Sequence, residues 1–198
     1  MKSYNVAILG ATGAVGKEML KVLGERKFPI NELKLLASKK SAGEEVDFNG
    51  AKYTIQEATE DSFTNIDVML CAAENEISKL LSPAAVKAGA IVIDNSSAYR
   101  MDDDVPLVVP EVNPEDVKKH KGIIANPNCS TIIALTAVNE LNKFSKINRM
   151  VVSTYQAVSG AGINGIRELD KQIKDISEGK HVEINTFQYQ IANNLIPQ

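Results

Sequence analysis

Within its first 25 residues the chain runs from a short β-rich stretch, Tyr4 to Leu9, into Gly10-Ala11-Thr12-Gly13-Ala14-Val15-Gly16, and from there into helical period. Behind the glycines, Val15, Met19, Leu20, Val22 and Leu23 recur at helical spacing until Pro29, and Leu33 to Ala37 is β-like again. Strand, glycine turn, helix, strand is the pattern of a parallel βαβ unit, in which a crossover helix returns the chain to start a parallel neighbour. This unit commits the N-terminal part to a sheet with helices on its faces.

The rest of the chain extends that rhythm and then leaves it. Val46, Phe48, Tyr53 and Ile55 alternate around Asn49-Gly50, which reads as a small hairpin because Asn-Gly tolerates positive φ. Asp67 to Ala72 reads as a strand, Glu76 to Ala88 as a helix closed by Gly89, and Ala90 to Asp94 as a strand. Leu107 to Val109 and Gly122 to Ala125 read as two further short strands. The expected fold class is α/β: a doubly wound, mostly parallel sheet. Ser130 to Phe144 follows as a helix with an apolar stripe of Ile133, Ala134, Ala137, Val138 and Leu141. Asn148 to Val158 then reads as a long strand, and Gly162 to Glu178 as a helix with Ile163, Ile166, Leu169, Ile173 and Ile176 on one side. The βαβ rhythm stops near Asn126-Pro127, so the domains are expected at 1–127 and 128–198.

The glycine turn has a physical reading. Gly10 permits the tight turn, Gly13 lets backbone approach a pyrophosphate, and Gly16 lets the helix pack on the strand, while the helix N-terminus offers oriented N–H groups. The spacing GxxGxxG departs from GxGxxG in the manner of several NADP enzymes. An NAD-selective fold carries an acidic residue at the end of the second strand. This chain has Ala37-Ser38-Lys39-Lys40-Ser41 there, and Glu32 lies before the strand at its wrong end. A solvated basic loop has the same composition, but position after the second strand points the hydroxyls and cations at a 2′-phosphate. NADP is the expected cofactor.

The chain has two cysteines. Cys71 lies in the apolar run Val68 to Ala73 and reads as a buried, inert thiol. Cys129 lies between Asn128 and Ser130, at or just before a helix start, where partial positive charge favours thiolate and nearby N–H groups can stabilise an oxyanion. A dinucleotide fold followed by such a cysteine suggests acyl-thioester chemistry coupled to hydride transfer. The residues alone do not name the substrate. A net charge of −3 gives no reason to expect nucleic acid or an anionic membrane as partner, and no apolar run approaches the length of a bilayer span. With no leader-like start and no disulfide framework, a cytoplasmic protein is expected, and no metal is called for.

The stretches GATGAVG (10–16), ASKKSAG (37–43), VIDNSSAYRMDDDVPLVVPEVN (92–113), NPNCST (126–131) and QAVSGAG (156–162) together resemble aspartate-semialdehyde dehydrogenase, in that family's order and across essentially the whole chain. The resemblance implies a Rossmann-type domain followed by the start of an α+β catalytic and dimerisation domain. In such enzymes Cys129 would attack the acyl phosphate of L-aspartyl-4-phosphate and expel phosphate, and NADPH would reduce the thioester to aspartate semialdehyde, a step of amino-acid biosynthesis. Arg100 matches the arginine that holds the phosphoryl group, and Gln156 the glutamine that contacts substrate, with Asn128 shaping the cysteine's surroundings. Gly10, Thr12, Gly13, Ala14, Val15, Gly16, Ser38, Lys40, Ser41, Asn95, Ser159 and Gly160 match the cofactor side. A homodimer, or a companion C-terminal chain, is the implied partner.

Three departures carry expectations. After the third main strand the family has a Gly-rich turn, whereas this chain has Ala72-Ala73-Glu74-Asn75-Glu76-Ile77-Ser78, whose carboxylates would raise the electrostatic cost of a bound dinucleotide. Asn193 stands where the family tends towards an aromatic residue. Family members continue for well over a hundred residues more, carrying an acid–base histidine and a substrate-binding arginine. The resemblance therefore implies an incomplete member, truncated or one half of a split enzyme, with at most weak cofactor binding and little turnover alone. His120 and His181 match no catalytic motif and read as surface residues.

Overall fold

The computed structural model describes residues 2–197, which divide into two compact units between Val152 and Ser153. Unit 1 is built on a six-stranded sheet whose pairings are all parallel, in the order β5-β2-β1-β6-β7-β8. The strands are β1 (Tyr4–Leu9), β2 (Ile30–Ala37), β5 (Gln56–Glu57), β6 (Val68–Cys71), β7 (Ile91–Asp94) and β8 (Ile123–Ala125). Helix α1 (Ala14–Glu25) connects β1 to β2, and α2 (Asn75–Lys87) connects β6 to β7. The hairpin β3 (Glu45–Phe48) and β4 (Ala51–Thr54) turns on Asn49 and Gly50, both at positive φ (51° and 80°), as the sequence requires of an Asn-Gly turn.

Period-two alternation explains the layering. In β1, Val6 and Ile8 face one way and join Leu20 of α1, Leu33 and Leu35 of β2 and Phe48 of the hairpin in one buried cluster. Ala7 and Leu9 face the other way and join Met69, Cys71, Val92, Phe63 and, from α2, Leu81 and Ala85. Both faces of the central strand are buried, so β1 reads as a continuous apolar run. The chain runs from β1 outward to β2 and returns to β6 on the other side of β1. The strand order thus reverses at the C-terminal ends of β1 and β6, where such sheets open a crevice.

Several elements differ from the sequence reading. Leu107 to Val109 forms only a single bridge, Leu107 to Ala125, flanked by backbone hydrogen bonds on the outer side of β8. Residues 146–157 contain no strand, although Asn148 to Val158 has β composition. A strand is completed by the neighbours that take its N–H and C=O groups, and none pairs with this run among the described residues. Helix α3 (Cys129–Phe144) forms as expected but buries none of its residues.

Unit 2 consists of a 3-10 turn (Val158–Ala161), helix α4 (Gly162–Ser177) and an irregular run to residue 197. The face α4 buries is Gly165, Glu168 and Gln172, not the isoleucine stripe; Ile163, Ile173 and Ile176 are exposed. Asn193 has φ of 58°, a left-handed conformation that asparagine tolerates better than a bulky ring does.

Candidate functional site

The glycine turn lies at the C-terminal end of β1, and its backbone is closely hemmed. Gly10 has φ of 84°, and a Cβ there would lie 2.7 Å from the Ala72 carbonyl oxygen at the end of β6. Its N–H and that of Ala11 both donate to the Leu36 carbonyl, at 2.8 and 3.1 Å, fastening the turn to β2. A Cβ on Gly16 would stand 2.2 Å from the Gly10 carbonyl oxygen, so α1 can begin this close to the turn only with glycine at position 16. Gly13 caps α1 in extended conformation, with no side chain bonded to the helix's leading N–H groups and no acidic residue in its first turn. That leaves the positive end of α1, with its leading N–H groups uncapped by a side chain, to an anion. The residues present fit a dinucleotide pyrophosphate.

Immediately after β2, Lys39–Ser41 forms a 3-10 turn, fixed by Ser41 N–H donating to the Ser38 carbonyl at 2.9 Å. Ser38, Lys39 and Lys40 are exposed at the same edge of the sheet as the glycine turn. Glu32 falls inside β2, opposite Asn5, at the far end from that turn. Glu74 and Glu76 are exposed at the start of α2. Between them, Asn75 accepts from Ser97 N–H at 3.0 Å and donates to Ser97 Oγ at 2.9 Å, tying the helix to the loop after β7. Backbone approaches the glycine turn here through Ala72, without the glycines of the family pattern.

The ends of β7 and β8 are knitted together at the same edge. Arg100, half-buried, donates from Nε to the Asn126 carbonyl at 2.9 Å and from Nη2 to the Asn95 carbonyl at 3.0 Å. The Asn126 side-chain amide donates to Asn95 Oδ1, and the Asn126 N–H to the Asp94 carbonyl at 2.8 Å. The guanidinium thereby fixes the turn three residues before Cys129, and its remaining N–H donors stay available to an oxyanion. Asp94 is buried and accepts from Ser96 N–H and Oγ, at 3.0 and 2.7 Å.

Cys129 is the first residue of α3 and is exposed. Asn128 caps the helix, its side chain accepting from Ser130 N–H at 3.0 Å. Cys71 is the contrasting case, fully buried at the end of β6, where burial pushes its thiol up to about 12 with the Asp94 carboxylate adding to the shift. Three strand spacings, roughly 14 Å, separate β1 from β8 across the sheet, a span that an extended dinucleotide bridges.

In unit 2, Gln156 is exposed and folds onto its own turn: a Cβ on Gly160 would lie 2.3 Å from its Nε2. Ser159 and Gly160 belong to the Val158–Ala161 turn that leads into α4. His120, the histidine of the unit that carries Cys129, does not join its edge of the sheet. His120 precedes β8 at the opposite edge, its Nδ1 accepting from Gly122 N–H at 3.0 Å, and His181 is exposed beyond α4.

Two family models match the chain in succession. Residues 5–120 match the semialdehyde dehydrogenase NAD binding domain, and residues 139–198 the semialdehyde dehydrogenase dimerisation domain. The chain belongs to the semialdehyde dehydrogenase family. Among relatives, the aspartate-semialdehyde dehydrogenase of Bacillus subtilis (strain 168) is 49% identical over 204 residues, covering 100% of this chain and 59% of the relative. A crystal structure of aspartate semialdehyde dehydrogenase II from Vibrio cholerae, complexed with ASA, superposes with a TM-score of 0.94 at 48% identity, over 100% of this chain and 60% of that one. The aspartate semialdehyde dehydrogenase of Candida albicans, solved with NADP, gives a TM-score of 0.60 at 26% identity, over 74% of this chain and 48% of that one. The chain thus spans about 59% of the length of the first of these relatives. Its sheet, most of it within the NAD binding domain match, carries a capped, exposed cysteine at the same edge as the glycine turn. No helix among the described residues is long and apolar enough to cross a membrane.

Some residues of this arrangement lie outside the expected set. Asn126 is signalled only by its place in NPNCST, Ser97 only by its place in the 92–113 stretch and Asn75 only by the departing turn, and the pairing of Asn75 with Ser97 depends on α2 and the β7 loop meeting. Glu168 and Gln172 lie outside the isoleucine stripe that the sequence offers for this helix, yet they are buried.

Proposed function

We propose that the chain acts as an NADP-linked aspartate-semialdehyde dehydrogenase, reducing L-aspartyl-4-phosphate to L-aspartate 4-semialdehyde and phosphate through a thioester on Cys129. The observation that carries this reading is the exposed, helix-capped Cys129 at the edge of the sheet that also bears the glycine turn. Family membership and the similarity to aspartate-semialdehyde dehydrogenases supply the substrate class.

In this reading the Cys129 thiolate attacks the acyl carbon, the acyl–phosphate bond breaks, and phosphate leaves with the bonding electrons. N–H groups at the start of α3 stabilise the tetrahedral oxyanion. Arg100 holds the phosphoryl group with the N–H donors not spent on Asn95 and Asn126, and Gln156 and Asn128 orient the acyl group. Bound NADPH supplies the hydride that reduces the thioester. Gly10, Thr12, Gly13, Ala14, Val15 and Gly16 hold its pyrophosphate, Ser38, Lys40 and Ser41 its 2′-phosphate, and Asn95, Ser159 and Gly160 its nicotinamide half. Lys39 and Lys40 favour NADP over NAD, since a 2′-phosphate gains from cations where a 2′-hydroxyl would ask for a carboxylate. We assign residues 1–127 to cofactor binding and 128–198 to the catalytic and dimerising part, in line with the two family matches. The dimerisation-domain match supports a homodimer, or pairing with a companion C-terminal chain, and we place the protein in the cytoplasm.

The reverse reaction tests the reading: NADP reduction with aspartate semialdehyde and phosphate, for the chain and for Cys129→Ser. Loss of the nucleophile is expected to lower turnover by at least about 10³-fold; equal turnover in the two would contradict it. A second reading, cofactor binding without turnover, is favoured by one observation: His120, the histidine of the unit that carries Cys129, lies at the opposite edge of the sheet. Tight NADPH binding with no phosphate-dependent rate in the unaltered chain would select it.

A further inference from the structure

Unit 2 contains a buried carboxylate that the chemistry above does not use. Glu168, on the buried face of α4, is 7% exposed. Its Oε1 accepts from Asn185 N–H at 3.1 Å and from Gln172 Nε2 at 3.1 Å, and its Oε2 accepts from Thr186 N–H. One turn further along α4, Gln172, 1% exposed, accepts through Oε1 from Ile191 and Ala192 N–H, at 2.9 and 3.0 Å, and donates from Nε2 to the Glu183 carbonyl at 2.9 Å. Residues 183–192 have no helix or strand of their own. Two side chains, four residues apart on one helix face, therefore supply much of the support for that run.

Burial alone would raise the Glu168 carboxyl, but hydrogen bonds from the Thr186 side chain and the Thr186, Asn185 and Phe187 amides outweigh it and hold the group below its ordinary range. It is therefore an anion at neutral pH, bonded to amides that no neutral side chain would hold as firmly.

What the carboxylate holds bears on the turn beside Gln156. Phe187 follows directly on the bonded Thr186. At Gly165, one turn before Glu168, a Cβ would lie 2.6 Å from the Val158 carbonyl oxygen, 2.9 Å from Ala161 Cβ and 3.1 Å from Phe187 Cζ. The Phe187 ring, the Val158 carbonyl and Ala161 thus crowd onto Gly165, a position of α4 that lacks a side chain. We infer that Glu168 is a positioning residue for the Val158–Ala161 turn, acting through Phe187, which it holds against Gly165, the position on which Val158 and Ala161 also close. The link is a property of residues 156–192 alone. Its consequence for cofactor, through Ser159 and Gly160, rests on the reading proposed above.

Amide hydrogen exchange of the full chain, with NADPH affinity as a second readout, tests this. The reporters are the N–H groups of Gly160, bonded to the Ala157 carbonyl, and of Gly162, bonded to that of Ser159. In Glu168→Gln, residues 185–187 are expected to lose protection and the two reporters to exchange at least about tenfold faster, the order of change that follows loss of a hydrogen bond to a charged group, with α4 amides unchanged. Phe187→Ala should reproduce the reporters' change without touching Ile191 and Ala192, and Phe187→Tyr, which keeps the ring, should restore protection and affinity together. If residues 185–187 loosen while Gly160 and Gly162 stay protected, the inference is overturned. Should Glu168→Gln unravel α4 as well, Phe187→Ala decides: slow exchange at the reporters overturns the link, faster exchange supports it. Faster reporters with unchanged NADPH affinity support the link and instead overturn the assignment of Ser159 and Gly160 to cofactor.

Discussion

The run from β1 to β8 and the run from α3 onward solve the burial problem in opposite ways. In the first, both faces of the sheet carry apolar side chains into closed clusters, and Ile8, Leu9, Leu36, Phe63 and Met69 are at most 1% exposed. In the second, α3 buries nothing, with Ile133, Leu141 and Phe144 exposed by 71, 65 and 96%. Helix α4 turns polar Glu168 and Gln172 inward and leaves Ile173 half in solvent. The first region is held by area removed from water and by parallel registers reaching across the chain. Around α4 in the second, hydrogen bonds to Glu168 and Gln172 hold the chain, so single polar changes are expected to cost more there than several apolar ones.

Core truncation should separate the two regions most. Phe63→Ala is expected to cost roughly 3–5 kcal/mol, read by denaturant unfolding, because Phe63 is fully buried beneath α2 and β6. A loss under about 1 kcal/mol would show that the first region's core is looser than its burial implies. Next in size is Gly16→Ala, whose Cβ would meet the Gly10 carbonyl at 2.2 Å. It should cost on the order of 2 kcal/mol and weaken NADPH binding together with stability, measurable by calorimetry on one sample.

These two effects concern the part of the molecule most legible in its sequence. The β1–turn–α1 unit and the Asn49-Gly50 hairpin are local, so spacing and φ preference suffice to find them. Asn148 to Val158 has the composition of a strand but no pairing, and pairing is decided by residues elsewhere. The isoleucines of α4 have correct helical spacing, yet they mark the wrong face, because Glu168 and Gln172 are buried by bonds to amides some 20 residues away. Of the site, the glycine turn and Cys129 announce themselves by type and position. The ties of Arg100 to Asn95 and Asn126 do not, since they exist only once β7 and β8 lie side by side.

A smaller effect belongs to Cys71. Its thiol is pushed up to about 12 when folded, while in the unfolded chain it ionises near its ordinary value of about 8.5. A raised folded value means that the contribution is complete below the unfolded value and is lost as pH rises from there towards 12. Above about pH 9 the chain should therefore lose about 1.4 kcal/mol per pH unit more than Cys71→Ala does, the slope for one proton; parallel profiles would deny that Cys71 is sealed. Smallest of all should be Ile173→Gln, within about 0.5 kcal/mol of the unaltered chain, since that side chain is already 52% exposed. A cost like that of Phe63→Ala would erase the contrast between the regions.

Thioester reduction requires the Cys129 sulfur to lie within reach of a dinucleotide held by the glycine turn, and alkylation followed by intact mass tests this most directly. At pH 8, iodoacetamide is expected to modify Cys129 alone, and saturating NADPH, its binding checked by fluorescence, should slow that modification severalfold. Modification of Cys129 at the same rate with and without bound NADPH would contradict it.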